Sequence, residues 1–155
     1  MEIVEYAPED VILTINDTWK VQSLTSVSVR RNKEKFKTIY GLRGVNTRVK
    51  TLDTSCEIII TVLQGSITND VFNQIVNLDG EVKDGNLQLA NNKISLRDTG
   101  GTTNILCDGY AYFESIPDIS YSAEQTDRAW KICCLKTDEM YIGGNFTKTQ
   151  ALAAK

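Results

Sequence analysis

Cys56-Glu57-Ile58-Ile59-Ile60-Thr61-Val62-Leu63, followed after a short turn by Thr68-Asn69-Asp70-Val71-Phe72-Asn73-Gln74-Ile75-Val76-Asn77-Leu78 and Asp79-Gly80, decides the fold. The first run is dense in β-branched residues, with Cys56, Ile58, Ile60 and Val62 on one face and Ile59 and Leu63 on the other, beside Glu57 and Thr61. A strand apolar on both faces is expected to be covered on both. Gly65 breaks it, Thr68 is placed to N-cap the next element, and Asp70 sits in the first turn, where the helix dipole favours an anion. Over about residues 69–78, Val71, Ile75 and Leu78 form a stripe widened by Phe72 and Val76. Asn69, Asp70, Asn73, Gln74 and Asn77 take the wet side, and Asp79-Gly80 supplies the stop. The reading is one amphipathic helix packed on a β-rich body, stabilised by that packing rather than by propensity.

Outward from this stretch, 155 residues make one domain, long enough to bury a core. A hydrophobic content of 41% and a charged content of 24% place it among ordinary globular chains. No apolar run approaches the roughly 20 residues that span a bilayer, so no membrane anchoring is expected. The first residues, with Glu2 and Glu5, do not resemble a signal peptide, so residence in a cytoplasm until release is expected. A net charge of −3 gives no bulk attraction for nucleic acid or anionic membrane. Histidine is absent, which removes the commonest general base and metal ligand. Cys56, Cys107, Cys133 and Cys134 show no C-x-x-C spacing, so no metal or other cofactor is expected.

In order, residues 1–10 read as a polar arm, with Pro8 as a stop before the first strand, frayed or tied onto a neighbour. Val11–Ile15 and Trp19–Gln22 flank the turn cluster Asn16-Asp17-Thr18 as a hairpin, and Ser26–Arg30 alternates as a strand. The segment 31–50 carries Arg31, Lys33, Lys35, Lys37, Arg43, Arg48 and Lys50 against Glu34 alone, with Phe36, Ile39, Tyr40 and Leu42 among them. Two readings stand: a basic, aromatic-bearing loop that docks on nucleic acid or an acidic protein face, or an exposed hairpin whose lysines keep its edge soluble. Glu81–Asn86 reads as a polar loop, and Leu87–Leu89 and Lys93–Arg97 as strands. Thr103–Glu114 is a long strand with a bulge or close approach at Gly109. Ile119–Ala123 and the closing strand Arg128–Lys136 follow, and residues 146–155 form a tail without a core signal. About nine strands and one helix predict a mainly β fold, an antiparallel β-sandwich or barrel with one flanking α-helix.

Catalysis finds no footing. Asp108 and Glu114 share a strand face about 20 Å apart at roughly 3.3 Å per residue. Asp127–Arg128 and Lys136–Asp138–Glu139 read as surface ion pairs. Gly100-Gly101 lacks the context of a phosphate loop. No activated nucleophile can be assembled, so no enzymatic role is expected. The cysteines read as small buried filler, or as supplying one outward thiol to a neighbouring copy; a bridge between adjacent Cys133 and Cys134 is disfavoured. Trp130 is expected in the core and Trp19 in core or interface.

Thr68-Asn69-Asp70-Val71 through Asn77-Leu78-Asp79 resembles the helix of the tail-tube proteins of contractile-tailed bacteriophages. Arg128-Ala129-Trp130-Lys131-Ile132 through Tyr141-Ile142-Gly143-Gly144-Asn145 is similar to that group's closing strand and terminal Gly-Gly-Asn. The hairpin, alternating strand and basic loop fall in matching order, so the likeness covers roughly residues 9–145; the polar insert around Glu81–Asn92 and the four cysteines depart from it. The resemblance implies hexameric rings stacked into a tube inside a contractile sheath, with sheath, baseplate and tail-terminator proteins as partners. It implies phage DNA as non-specific cargo in the lumen and the virion as location. Contacts between copies are expected at Arg31, Lys33, Lys35, Phe36, Lys37, Tyr40 and Arg43 and at Gly143, Gly144 and Asn145. The rivals are a tube-initiator or baseplate-hub ring, and a monomeric carbohydrate-binding β-sandwich using Tyr110, Tyr112 and Tyr121.

Overall fold

The computed structural model describes residues 11–80, 82–83, 85–87 and 92–144. The opening hairpin forms as expected: β1 (Val11–Ile15) pairs antiparallel with β2 (Trp19–Lys20). Its turn needs left-handed backbone at Asn16 (φ 54°) and Asp17 (φ 57°), which these two residue types tolerate best after glycine. The Asn16 side chain locks the turn by accepting the Lys93 N–H at 2.8 Å and donating to Asn92 Oδ1 at 3.2 Å.

The remaining strands are β3 (Leu24–Arg31), β4 (Phe36–Tyr40), β5 (Asn46–Lys50), β6 (Cys56–Leu63), β7 (Val82–Lys83), β8 (Asn86–Leu87), β9 (Asn92–Asp98), β10 (Asn104–Ser115), β11 (Asp127–Cys134) and β12 (Glu139–Tyr141). The main sheet runs β2-β1-β9-β10-β11-β6-β3, with β12 also on β10, and every pair is antiparallel. Among the described residues the protein is therefore mainly β with one short helix, α1 (Thr68–Leu78), consistent with the expected sandwich class. Inward faces of β1, β6, β9, β10 and β11 meet in one core closed by Phe72 of α1. Phe72, Phe113 and Trp130 stack there with ring centroids 4.9–5.7 Å apart, in the tilted and edge-on poses that aromatic quadrupoles favour.

Several expectations are corrected. In β6, Cys56, Ile58, Ile60 and Val62 are fully buried, but Ile59 and Leu63 remain 39% and 42% exposed. The strand is thus covered on one face only, because α1 lies on the inner side and nothing described lies on the outer. Ile67, not Thr68, holds the helix N-cap position, without a side-chain cap. Thr68 is buried inside the first turn, where its hydroxyl accepts the Gln22 N–H and donates to the Gln22 carbonyl, both at 3.1 Å. The buried stripe is rotated: Asn69 is 5% exposed and Leu78 is 63% exposed. Asn69 goes inside because its amide accepts the Trp130 indole N–H at 3.0 Å and donates to the carbonyls of Leu63, Gln64 and Ser66 at 3.0–3.2 Å.

Ile119–Ala123 is not a strand; it belongs to an exposed connection between β10 and β11. The closing strand stops at Cys134 rather than Lys136. Val82–Lys83 and Asn86–Leu87 pair as a small hairpin where a loop was expected, and Gln88 and Leu89 lie outside the described residues. The bulge at Gly109 is present, with φ +82° and four residue steps of β10 set against two of β9 between Cys107 and Ala111. The excess of two keeps both Cys107 and Ala111 facing inward. It also changes the cysteine reading. In a regular strand Cys107 lies about 13 Å along from Ala111, the partner of Cys134. The bulge shortens this, so Cys107 and Cys134, 6.6 Å apart at Cα, form a disulfide inside the core. Cys56 is a buried free thiol whose ionisation burial pushes up, and Cys133 is half-buried on the outer face.

Candidate interaction surfaces

The arm between β3 and β6 is the least protected part of the described molecule. Every residue from Asn32 to Lys50 is exposed, while among the described residues β4 and β5 pair only with each other. Its tip is built by glycine: Gly41 donates to the Val45 carbonyl at 2.8 Å, a Cβ on Gly41 would collide with that oxygen, and Gly44 takes φ +80°. Phe36 lies under the Arg48 guanidinium at 4.5 Å and near Lys35 Nζ at 5.6 Å, which aligns the ring with two cations. Ile39, Tyr40, Leu42 and Val45 are 52–108% exposed.

Among the described residues the arm is tied to the body at its root. Arg31 Nη2 donates to the Asp53 carbonyl at 3.2 Å, and Lys33 pairs with the Asp53 carboxylate at 3.5 Å. The Ser55 N–H donates to Asp53 Oδ1 at 2.8 Å, and this bond, followed by the Ser55 hydroxyl and Lys33, holds the Asp53 carboxyl below the usual range. Of the residues expected to meet another copy, Arg31 and Lys33 therefore serve the root. Lys35, Phe36, Lys37, Tyr40 and Arg43 stand on the free part. The segment forms the exposed hairpin of one reading, and its surface is rich in uncovered apolar and basic groups.

Gly143 and Gly144 lie elsewhere, docked on the β9–β10 turn. Gly143 exchanges hydrogen bonds with the Thr103 hydroxyl at 3.0 and 3.1 Å, and the Thr102 N–H donates to the Gly144 carbonyl at 3.2 Å. A Cβ on Gly143 would collide with Thr102 Oγ1, so the missing side chain at Gly143 permits a close internal contact. Asn145 lies outside the described residues.

A second surface sits at the far end of the sheet. Arg31, Cys56 and Cys134 are register partners at the arm end of β3, β6 and β11, whereas Leu63 pairs with Asp127 at the other. The seven steps of β6 between them span about 23 Å. Residues 116–126 connect β10 to β11 at that far end, anchored by Thr126, whose N–H donates to Gln64 Oε1 at 3.2 Å. Ile116, Ile119 and Tyr121 are 59–79% exposed there. Asp118, Glu124 and Asp127 are exposed too, and residues 115–127 contain no Lys or Arg. Sequence reasoning missed this surface; the long stretch without a basic residue was the available signal.

The outer sheet face carries a charge network centred on Glu57 and Lys131. Glu57 pairs with Lys131 at 2.7 Å and Arg30 at 3.1 Å, and Lys131 reaches Glu114 at 3.6 Å. The Lys131 hydrogen bond, before any other cause, holds the Glu57 carboxyl low. Of the acids expected in other ion pairs, Asp138 accepts the Asp108 N–H at 2.8 Å and Glu139 accepts the Asn104 amide at 3.2 Å. Tyr112 sits opposite Cys133, near the arm end, and Tyr121 lies in the far connection, so they do not make one stacking platform. A cleft of about 390 Å³ lies where Val11, Leu96 and Asp98 face Leu24–Val27 of β3, at the seam between the two sides of the curled sheet. Among the described residues no cluster of three or more acidic or cysteine side chains is arranged to hold a metal ion, and no helix is long and apolar enough to cross a membrane. The sequence matches no protein-family model and no curated protein.

Proposed function

We propose that the protein is a structural subunit that polymerises with itself: the inner tail-tube protein of a contractile phage tail. In this reading hexameric rings stack into a tube within a sheath, bounded by baseplate and terminator proteins, and the tube conducts DNA through its lumen. The observation that carries it is the arm. Nineteen consecutive residues, Asn32 to Lys50, are exposed, and a lone two-stranded ribbon with uncovered Phe, Ile, Tyr, Leu and Val side chains is marginally stable in water. Such a ribbon gains its order from a surface that covers it. The edge strand β3, with no partner on its outer side among the described residues, gives a second place where another copy can add. The ordered likeness of the helix, closing strand and basic loop to the tail-tube group supplies the particular assembly, and an acidic body suits a conduit that must not retain phosphate.

Deletion of Lys35–Arg43 tests this by sedimentation and electron microscopy. The deletion removes no core side chain, so the expected product is a folded protomer of native circular dichroism that no longer assembles. Tubes of full length from the deleted chain overturn the role of the arm. Wild-type protein that stops at single rings favours the initiator or hub reading.

A further inference from the structure

We propose that the arm of one copy docks on the 115–127 surface of the next, so that copies join head to tail along the strand direction. This rests on the self-assembly reading above and adds the identity of the receiving surface. The first observation is charge. In residues 31–50 seven basic side chains against one acid give +6, so within a total of −3 the remaining residues carry −9. Residues 115–127 hold three of those acids, Asp118, Glu124 and Asp127, and no base.

The second observation is matching apolar character. The arm exposes Ile39, Tyr40 and Leu42 among its cations, and the far surface exposes Ile116, Ile119 and Tyr121 among its acids. Each side therefore offers groups to cover as well as charge to neutralise, the pairing of an apolar centre with a charged surround that protein interfaces use. A phosphate backbone satisfies only the charged half. The third observation is position. The two surfaces leave the sheet from opposite ends of β6, about 23 Å apart, and every arm residue from Asn32 to Lys50 is exposed, so the arm is not folded back onto the far surface of its own protomer. A contact between two different patches at opposite poles is heterologous, and a heterologous contact whose rotation does not close a ring repeats into an open filament.

Charge reversal tests the pairing. One variant carries Lys35→Glu, Lys37→Glu and Arg43→Glu; another carries Asp118→Lys, Glu124→Lys and Asp127→Lys. All six side chains are exposed and none belongs to the core, and circular dichroism verifies the fold of each variant. Each variant alone is expected to need at least about a tenfold higher concentration to assemble than wild type. An equimolar mixture of the two, and a chain carrying all six changes, are expected to assemble again, because each reversed arm then meets a reversed surface. Loss of assembly with the arm variant but not with the surface variant overturns the receiving surface while leaving self-assembly intact. Failure of the mixture and of the six-change chain to recover also overturns it. A wild-type chain that stays a single particle overturns the self-assembly reading itself, and wild-type binding to duplex DNA without self-assembly assigns the arm to nucleic acid instead.

Discussion

Replacing Asn69 probes how the helix is held to the sheet. Its side-chain oxygen accepts the Trp130 indole N–H at 3.0 Å, and its nitrogen donates to the carbonyls of Leu63, Gln64 and Ser66 in the turn before α1. Asn69→Ala leaves the indole donor buried without a partner, a cost of about 1–3 kcal/mol, and loses the net worth of the turn bonds, about 1 kcal/mol more. A total near 3 kcal/mol lowers the melting temperature by about 6–12 °C for a chain of this size. Asn69→Asp is the sharper variant. It keeps an acceptor for Trp130 but turns a carboxylate oxygen toward three carbonyls, so it is expected to be less stable than Asn69→Ala at pH 7. It should regain stability as the pH falls and the carboxyl protonates. Thermal unfolding followed by tryptophan fluorescence measures both. An Asn69→Ala protein within about 0.5 kcal/mol of wild type, or an Asn69→Asp protein as stable as wild type, refutes the reasoning.

Three further outcomes follow from the same geometry. The Cys107–Cys134 bridge joins residues 27 apart, which corresponds to about 3.5 kcal/mol of loop-closure entropy, so a Cys107→Ser/Cys134→Ser chain should melt well below the oxidised wild type. Thiol titration of the denatured, unreduced protein should find two free cysteines, Cys56 and Cys133, and four would remove the bridge. Gly109→Ala has space for its methyl group but must hold φ +82°, so it should cost about 1–2 kcal/mol by chemical denaturation, and a neutral result would place the bulge elsewhere. Because the folded Glu57 carboxyl is held low, its contribution is present above the unfolded value and is lost as the pH falls through the folded one. Glu57→Gln should therefore flatten the acid limb of the stability profile below about pH 4, and an unchanged limb would contradict the Lys131 pairing.

The parts of this fold legible in sequence are those set by local pattern. Residues 56–63, the Asn16-Asp17 turn, the alternation of β3 and the glycine in β10 each carry their cause within a few residues. What was not legible depends on distant partners. The helix stripe is turned toward Asn69 because Trp130, 61 positions away, supplies a buried donor. The disulfide depends on a bulge whose effect on Cys107 no spacing rule expresses. Ile119–Ala123 has strand composition but no strand beside it, and composition alone does not pair a backbone. Among the candidate contacts, the basic run announced the arm through its charge. Its counterpart at residues 115–127 escaped because an absence of basic residues is a quieter pattern than their presence. At Gly143 and Gly144, expected to meet another copy, the structure shows an internal contact with Thr102 and Thr103.

Imaging the purified full-length chain by negative-stain electron microscopy across a rising concentration series tests self-assembly most directly. Rings and tubes with a central channel are the predicted result. Isolated 17.3 kDa particles at every concentration, with the arm still uncovered, would contradict it.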